Sequence, residues 1–166
     1  MPSLNDLLGL AEKQARQELV GAPKATQLLP TWLVAAANND IIIIATPWAD
    51  DRQKEITAEA MRATMRAKKA TAYSFLCEAW MVRKRLDGMS LQEAYDKTYS
   101  DAEMPRNDPH RIETVVATAG DRNGSKSAMW RIVRDTAGVV TELIEEPDAP
   151  DMVVGRFNDI LAEARQ

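Results

Sequence analysis

Apolar residues recur with helical spacing near the start of this chain. Their positions are Leu4, Leu7, Leu8, Ala11, Ala15 and Leu19. Ser3 with Asp6 three residues later is typical of a helix N-cap, and Gly21 followed by Pro23 is typical of a helix end. The pattern predicts a helix over residues 4–20 with one face buried.

Two runs of apolar and β-branched residues flank the turn-forming residues Asn38, Asn39 and Asp40. Asn tolerates the positive φ that a tight turn requires, so residues 31–46 are predicted to form a β-hairpin. The second strand of this hairpin, residues 41–44, contains only isoleucine. A strand that is apolar at every position is typical of burial on both faces, which predicts a central place in the sheet.

Alternating polarity predicts the remaining strands. Residues 71–83 alternate with the period of a strand. Three more strands are predicted over residues 112–119, 126–135 and 139–145, because turn-forming residues separate these runs. Their short connections predict an antiparallel meander.

Three further helices are predicted. One covers residues 51–69, a short one begins with a capping box at Ser90, and the last covers residues 152–164. The residues of the first that fall within a narrow arc, and are predicted to face the sheet, are Ile56, Ala60, Ala63 and Ala67. Met61 and Met65 lie outside that arc, so either a neighbouring element of the fold covers them, which is the favoured interpretation, or they form an apolar flank that contacts a partner.

The predicted element order is α-β-β-α-β-α-β-β-β-α. Each amphipathic helix and each alternating strand has one face to bury, so these elements are expected to pack in layers. The order predicts an α+β fold in which helices cover one antiparallel sheet of about six strands, in a single domain over residues 1–166.

The amino-acid composition excludes several kinds of functional site. The 166 residues include one histidine, His110, and one cysteine, Cys77, too few for a multi-histidine or multi-cysteine metal site or for an internal disulfide. A glycine-rich phosphate loop is absent, and no cofactor is predicted. Residues 1–20 lack signal-peptide features and no apolar run is long enough to cross a bilayer, which predicts a cytoplasmic protein without a membrane partner.

The formal net charge of −4 conceals a basic stretch at residues 62–85. Its cationic residues are Arg62, Arg66, Lys68, Lys69, Arg83, Lys84 and Arg85. They define a candidate nucleic-acid interface, because such clusters attract phosphate backbones. A solvated helix end is the alternative, and the acidic balance of the whole chain favours it.

Three residues are candidates for catalysis. Glu78 lies between apolar positions of a predicted strand, where burial would raise the pKa of its carboxyl group, and His110 would titrate near neutral pH. Asp121 is the third. A metal-dependent hydrolase or nuclease would draw its oxygen ligands from Asp50, Asp51, Glu78 and Asp121. Each of these carboxylates also has a simpler role as a cap, a turn residue or a surface charge, so the sequence favours a protein that is not an enzyme.

Tryptophan outnumbers phenylalanine, four to two. Trp48 follows Pro47 just before a predicted helix and is predicted to be partly exposed. Trp32, Trp80 and Trp130 are predicted to pack in the core.

Trp48, Met61 and Met65 define a candidate surface for a partner protein or for a second copy of the chain. We therefore expect a small binding or interaction protein. A metal-dependent hydrolase or nuclease is the first alternative, and nucleic-acid binding through residues 62–85 is the second.

Three segments resemble a loose group of small uncharacterised bacterial and bacteriophage proteins: TWLVAAANNDIIIIATPW, YSFLCEAWMV and ATAGDRNGSKSAMWRIVRD. The shared features are the strand layout, the E-A-W sequence and the D-R-x-G hairpin. This resemblance implies a microbial or phage accessory or regulatory protein, and it carries no activity or site. The element order also resembles the roadblock and profilin-like scaffolds, in which helices cover a central antiparallel sheet.

Overall fold

Two helices and one six-stranded antiparallel sheet make up the computed structural model, which describes residues 2–81 and 111–147. The helices are α1 (Leu4–Leu19) and α2 (Asp51–Ala67). The strands are β1 (Thr31–Ala35), β2 (Ile41–Ala45), β3 (Ala72–Met81), β4 (Ile112–Asp121), β5 (Gly124–Arg134) and β6 (Val140–Glu145). Across the sheet they lie in the order β2-β1-β3-β4-β5-β6.

These elements confirm the α+β class and the single antiparallel sheet of six strands. The described elements follow the predicted order, α-β-β-α-β and then β-β-β. The helices predicted to begin at Ser90 and to cover residues 152–164 lie outside the described residues. Neither described helix is long and apolar enough to cross a membrane.

The ends of α1 follow from local chemistry. Ser3 Oγ accepts a hydrogen bond from the Asp6 N–H at 3.1 Å, and the Asp6 carboxylate accepts one from the Ser3 N–H at 2.8 Å. This reciprocal pair satisfies donors that the first helical turn leaves free. After the helix, Gly21 has a φ of +79° and donates its N–H to the Val140 carbonyl at 2.8 Å, which joins the end of α1 to β6.

One side of the sheet, which we call the α1 face, packs against α1. The buried helix residues are Leu7, Leu8, Ala11, Ala15 and Leu19, as predicted. The strand residues of this core include Leu33, Leu76, Val115, Trp130 and Leu143, each from a different strand. One helix therefore covers parts of five strands.

The opposite side of the sheet, the α2 face, holds a second apolar cluster. Its fully packed members are Trp32, Val34, Ala58, Met61, Met65, Ala70, Tyr73 and Phe75. Asp50 is the N-cap of α2, and its Oδ1 accepts the Gln53 N–H at 2.8 Å.

The predicted orientation of α2 is wrong. Met61 and Met65 are each only 2% exposed, whereas Ile56, predicted to face the sheet, is 60% exposed. Ala58, Met61 and Met65 have i, i+3, i+7 spacing, and burying two methionines removes more apolar area from water than burying the alanines of the predicted arc. Met61 and Met65 therefore belong to the protein's own core, and the exposed flank on which their predicted partner role depended does not exist in this fold.

The predicted central position of β2 is also wrong. β2 is an edge strand that pairs with β1 only, and its Ile43 is 57% exposed. The strand buried throughout is β1, which lies between β2 and β3. A continuous apolar run predicts burial of a strand, but it does not predict whether the strand pairs with one neighbouring strand or with two.

The main-chain hydrogen bonds alternate across the whole sheet. Thr46 N donates to Pro30 O at 2.7 Å near the β1–β2 pair, and Glu146 N donates to Met129 O at 2.9 Å near the β5–β6 pair. In an antiparallel sheet the N–H and C=O groups of successive residues point alternately to the two neighbouring strands. When the alternation is followed from strand to strand through the pairing register, both bonds give the same result. The N–H and C=O groups of even-numbered β3 residues point toward the β1 side, and those of odd-numbered residues point toward β4.

Candidate binding cleft at the edge of strand β3

Strand β3 is twice as long as β1, with ten residues against five. The pairing of β1 with β3 ends where Thr31 meets Leu76, so residues 77–81 pair with β4 alone among the described strands. Before β1, Leu28 is buried in the α1-face core, so the chain lies toward that face instead of continuing along β3. Among the described residues, this part of β3 therefore has an edge without a neighbouring strand, which we call the free edge of β3, and on it Glu78 and Trp80 direct their N–H and C=O groups outward.

A cleft of about 560 Å³ follows this free edge. Its wall on the α1 face includes Glu78, Trp80, Glu113 and Arg134. Its wall on the α2 face includes Trp48, Lys54 and Cys77. The edge of β3 thus lies between an aromatic and charged wall on one side and a second aromatic wall on the other.

Glu78 is half-buried in the cleft. Its Oε1 accepts the Leu28 N–H at 2.7 Å. Burial raises the pKa of the Glu78 carboxyl, and the Glu113 charge adds to the rise, while the Leu28 N–H and the Arg134 charge oppose it. The direction of this pKa shift agrees with the first of the two interpretations of Glu78, and its role as a functional acid stays a prediction.

Glu113 and Arg134 form a fixed part of the wall. Arg134 donates from Nε to Glu113 Oε2 at 2.8 Å and from Nη2 to Glu113 Oε1 at 2.5 Å. Arg134 also donates to the Gly138 carbonyl at 3.0 Å. Such a two-pronged pair holds both side chains in one geometry, so Glu113 is committed to Arg134 and does not act as a second free acid beside Glu78.

Trp80 lies at the mouth of the cleft and is 45% exposed, so its predicted place in the core is wrong. Along β3 the apolar cluster under α1 includes Ala72 and Leu76 and does not reach Trp80. The guanidinium carbon of Arg111 lies 4.8 Å from the centroid of the indole ring. An exposed tryptophan beside a free strand edge offers a large rigid contact surface.

Trp48 provides the aromatic surface of the opposite wall. It is half-buried, as predicted, and its ring stacks on Phe75 with 5.7 Å between centroids and 27° between planes. Beside it, burial raises the pKa of the Cys77 thiol to about 11, with a further rise from the Glu78 charge. Cys77 is therefore a protonated thiol at neutral pH and not a nucleophile.

Asp121 does not lie beside Glu78, where the hydrolase alternative requires it to be. Asp121 Oδ1 accepts the N–H groups of Asn123 at 2.6 Å and Gly124 at 3.1 Å, which makes it a turn residue. Asp121 pairs with Ala72, six residues along β3 from Glu78, or about 20 Å away. Across residues 2–81 and 111–147, no group of three or more His, Cys, Asp or Glu residues is placed to hold a metal ion.

The remaining candidates lie at the end of α2 or outside the described residues. Arg62 and Arg66 both contact Glu59, at 3.3 and 3.6 Å, so the charge of this part of α2 is partly balanced within the helix. Lys68 and Lys69 follow at the end of α2. His110 and the cationic residues Arg83, Lys84 and Arg85 lie outside the described residues.

Comparisons of the chain with protein-family models, with curated proteins and with solved structures found no match. The resemblance to bacterial and phage proteins stays a prediction. The function of the chain is therefore inferred from the cleft.

Proposed function

We propose that this protein is a protein-binding module whose cleft receives an extended segment of a partner polypeptide as an added strand on β3. The observation that carries this proposal is the free edge of residues 77–81, where Glu78 and Trp80 direct their main-chain groups outward. Strand addition obtains affinity from main-chain hydrogen bonds and specificity from alternate side chains.

The added strand would continue the line of β1 beyond Thr31. Leu28 contacts the side chain of Glu78, and no main-chain hydrogen bond joins the two described segments 24–29 and 77–81. Within the described part of the chain, the stretch of β3 without a neighbour on this side is about five residues long, the ordinary length of a short strand, and its outward main-chain groups are those of Glu78 and Trp80.

The walls indicate which ligand side chains fit. Successive residues of an added strand point to opposite faces of the sheet. On the α2 face they would meet the ring of Trp48, which suits apolar or aromatic ligand residues. On the α1 face they would meet the carboxyl group of Glu78, which suits a basic ligand residue.

Selection of peptides tests this proposal. A library of random 12-residue peptides would be selected on the immobilised full-length chain, and selected peptides would be measured by fluorescence anisotropy. Trp80→Ala should weaken binding at least about tenfold, because it removes the main aromatic contact. Trp80→Pro should weaken it further, because it also removes an outward N–H that the β4 ladder does not use.

Ile56→Ala is the matched control, since it truncates an exposed apolar residue on the outer side of α2. It should leave peptide affinity unchanged. Circular dichroism and thermal unfolding would verify that each variant is folded. Selected peptides that bind Trp80→Pro as tightly as the wild-type chain, or a library that yields no binder, would contradict the proposal.

A further inference from the structure

The two outer strands of the sheet differ in how they are protected from further pairing. β6 carries Glu142 and Glu145, and its pairing with β5 is interrupted by a bulge between Val133 and Arg134. Charges and bulges at an edge discourage pairing with another chain. β2 consists of four isoleucines and an alanine, without a charge, proline or bulge.

The main chain of β2 has a regular set of outward groups. Ile42 and Ile44 bond to β1, as the alternation fixed by the bond from Thr46 N to Pro30 O requires. Ile41, Ile43 and Ala45 therefore direct their N–H and C=O groups away from β1. Within the described part of the chain, no strand lies on that side.

We propose that two copies of this chain pair through β2 in an antiparallel, two-fold arrangement centred on Ile43. Ile43 then lies opposite Ile43 of the second copy, and Ile41 lies opposite Ala45 in both directions. These pairs use every outward N–H and C=O of the strand, because each pair exchanges two hydrogen bonds. The result is one continuous sheet across both copies.

The regular main chain of β2 and its lack of protecting charges favour a second copy as the occupant of this edge. Donor and acceptor groups of the strand are complementary to themselves under the two-fold rotation, as an isologous contact requires. The strand itself contains no charge, so the apolar side chains meet without like-charge repulsion. Each Asp40 faces Thr46 of the other copy, and the two Asp40 residues lie about 20 Å apart, beyond the distance at which exposed charges interact strongly.

The side chains add an apolar contact on both faces. Ile43 is 57% exposed and would be covered by its counterpart. Ile42 and Ile44 lie opposite each other across the contact, in pairs where side chains approach most closely. The contact uses β2 alone and leaves the cleft at β3 open, so Trp80→Pro should not change the assembly.

Sedimentation velocity on the full-length chain tests the assembly. The expected species has twice the chain mass of 18.5 kDa. Ile43→Lys should reduce the mass to that of one chain, because a charged edge residue opposes pairing. Ile56→Lys, which places the same charge at an isoleucine of similar exposure on α2, should remain dimeric. A wild-type chain that is monomeric at high concentration, or an Ile43→Lys variant that stays dimeric, would overturn the proposal.

Disulfide cross-linking tests the register. In a Cys77→Ser background, Ile43→Cys should cross-link to itself under mild oxidation, since the Cα atoms of a hydrogen-bonded pair lie about 5.5 Å apart. Ile41→Cys should cross-link at least about tenfold more slowly, because its two copies lie about 14 Å apart. Both substitutions are mild enough to preserve the strand. Equal cross-linking rates for the two variants would overturn the two-fold arrangement.

Discussion

The main-chain N–H of Leu28 donates a hydrogen bond to the side chain of Glu78, with 2.7 Å between Leu28 N and Glu78 Oε1. This bond joins the segment before β1 to the part of β3 that has no described strand on that side. It gives the buried Leu28 N–H a partner, and among the described residues it leaves the outward main-chain groups of Glu78 and Trp80 without a strand to pair with. The free edge and the half-buried carboxyl group of Glu78 thus have one structural origin.

Glu78→Gln should change the pH dependence of stability. Burial raises the pKa of Glu78 in the folded chain, so the contribution of this group to stability is complete below its unfolded pKa and is lost as pH rises through the folded pKa. Glutamine keeps an acceptor for the Leu28 N–H without the charge. The free energy of unfolding of the variant, measured with urea, should therefore rise relative to wild type between acid and neutral pH.

Glu78→Ala is the control for this comparison, because it removes both the charge and the acceptor. The buried Leu28 N–H then lacks its partner, which we expect to cost about 1–3 kcal/mol relative to Glu78→Gln. Parallel pH profiles for wild type and Glu78→Gln would contradict the inferred pKa of Glu78.

Cys77 should be unreactive in the folded chain. With the pKa of the thiol raised to about 11, roughly one molecule in a thousand carries the thiolate at pH 8. Alkylation by iodoacetamide at pH 8 should be at least about a hundredfold slower in the native chain than in urea. Native and unfolded chains that react at similar rates would show that the thiol is neither buried nor held protonated.

Truncation of Met65 should test the corrected orientation of α2. Met65→Ala removes a buried side chain from the α2-face core and should lower the free energy of unfolding by about 2–5 kcal/mol. Ile56→Ala, at an exposed position of the same helix, should change it by about 0.5 kcal/mol or less. Urea unfolding of both variants measures the difference, and the reverse ranking would restore the orientation first predicted from the sequence.

Several elements could be predicted because their signals are local. The capping box of Ser3 and Asp6 and the apolar stripe of α1 identify the first helix without reference to the rest of the chain. The turn at Asp121 and the alternation of residues 71–83 are equally local, and the structure confirms the turn and a strand over Ala72–Met81.

The position of β2 and the orientation of α2 depend on packing with distant elements. The four isoleucines of β2 make the strand hydrophobic, but this property does not distinguish an edge strand from a central one. In α2, either an arc of alanines or an arc with two methionines could pack against the sheet. The arc with the methionines is the buried one, because its larger side chains remove more apolar area from water.

The cleft depends on the difference in length between β1 and β3, which only their register reveals. The sequence does contain one indication of this difference in length. The run of residues 71–83 is longer than either strand of the predicted hairpin, and Pro30 immediately precedes β1. A long alternating strand beside a short one must leave part of its edge without that neighbour.

Amide exchange along β3 tests the proposed binding mode most directly. Hydrogen–deuterium exchange would be followed by NMR on the labelled full-length chain, alone and with a selected peptide. The amide protons of Glu78 and Trp80 should exchange more slowly with peptide, because they gain acceptors, while those of Cys77 and Ala79, already bonded to β4, should change little. A bound peptide that leaves the Glu78 and Trp80 amides unprotected would contradict strand addition at this edge.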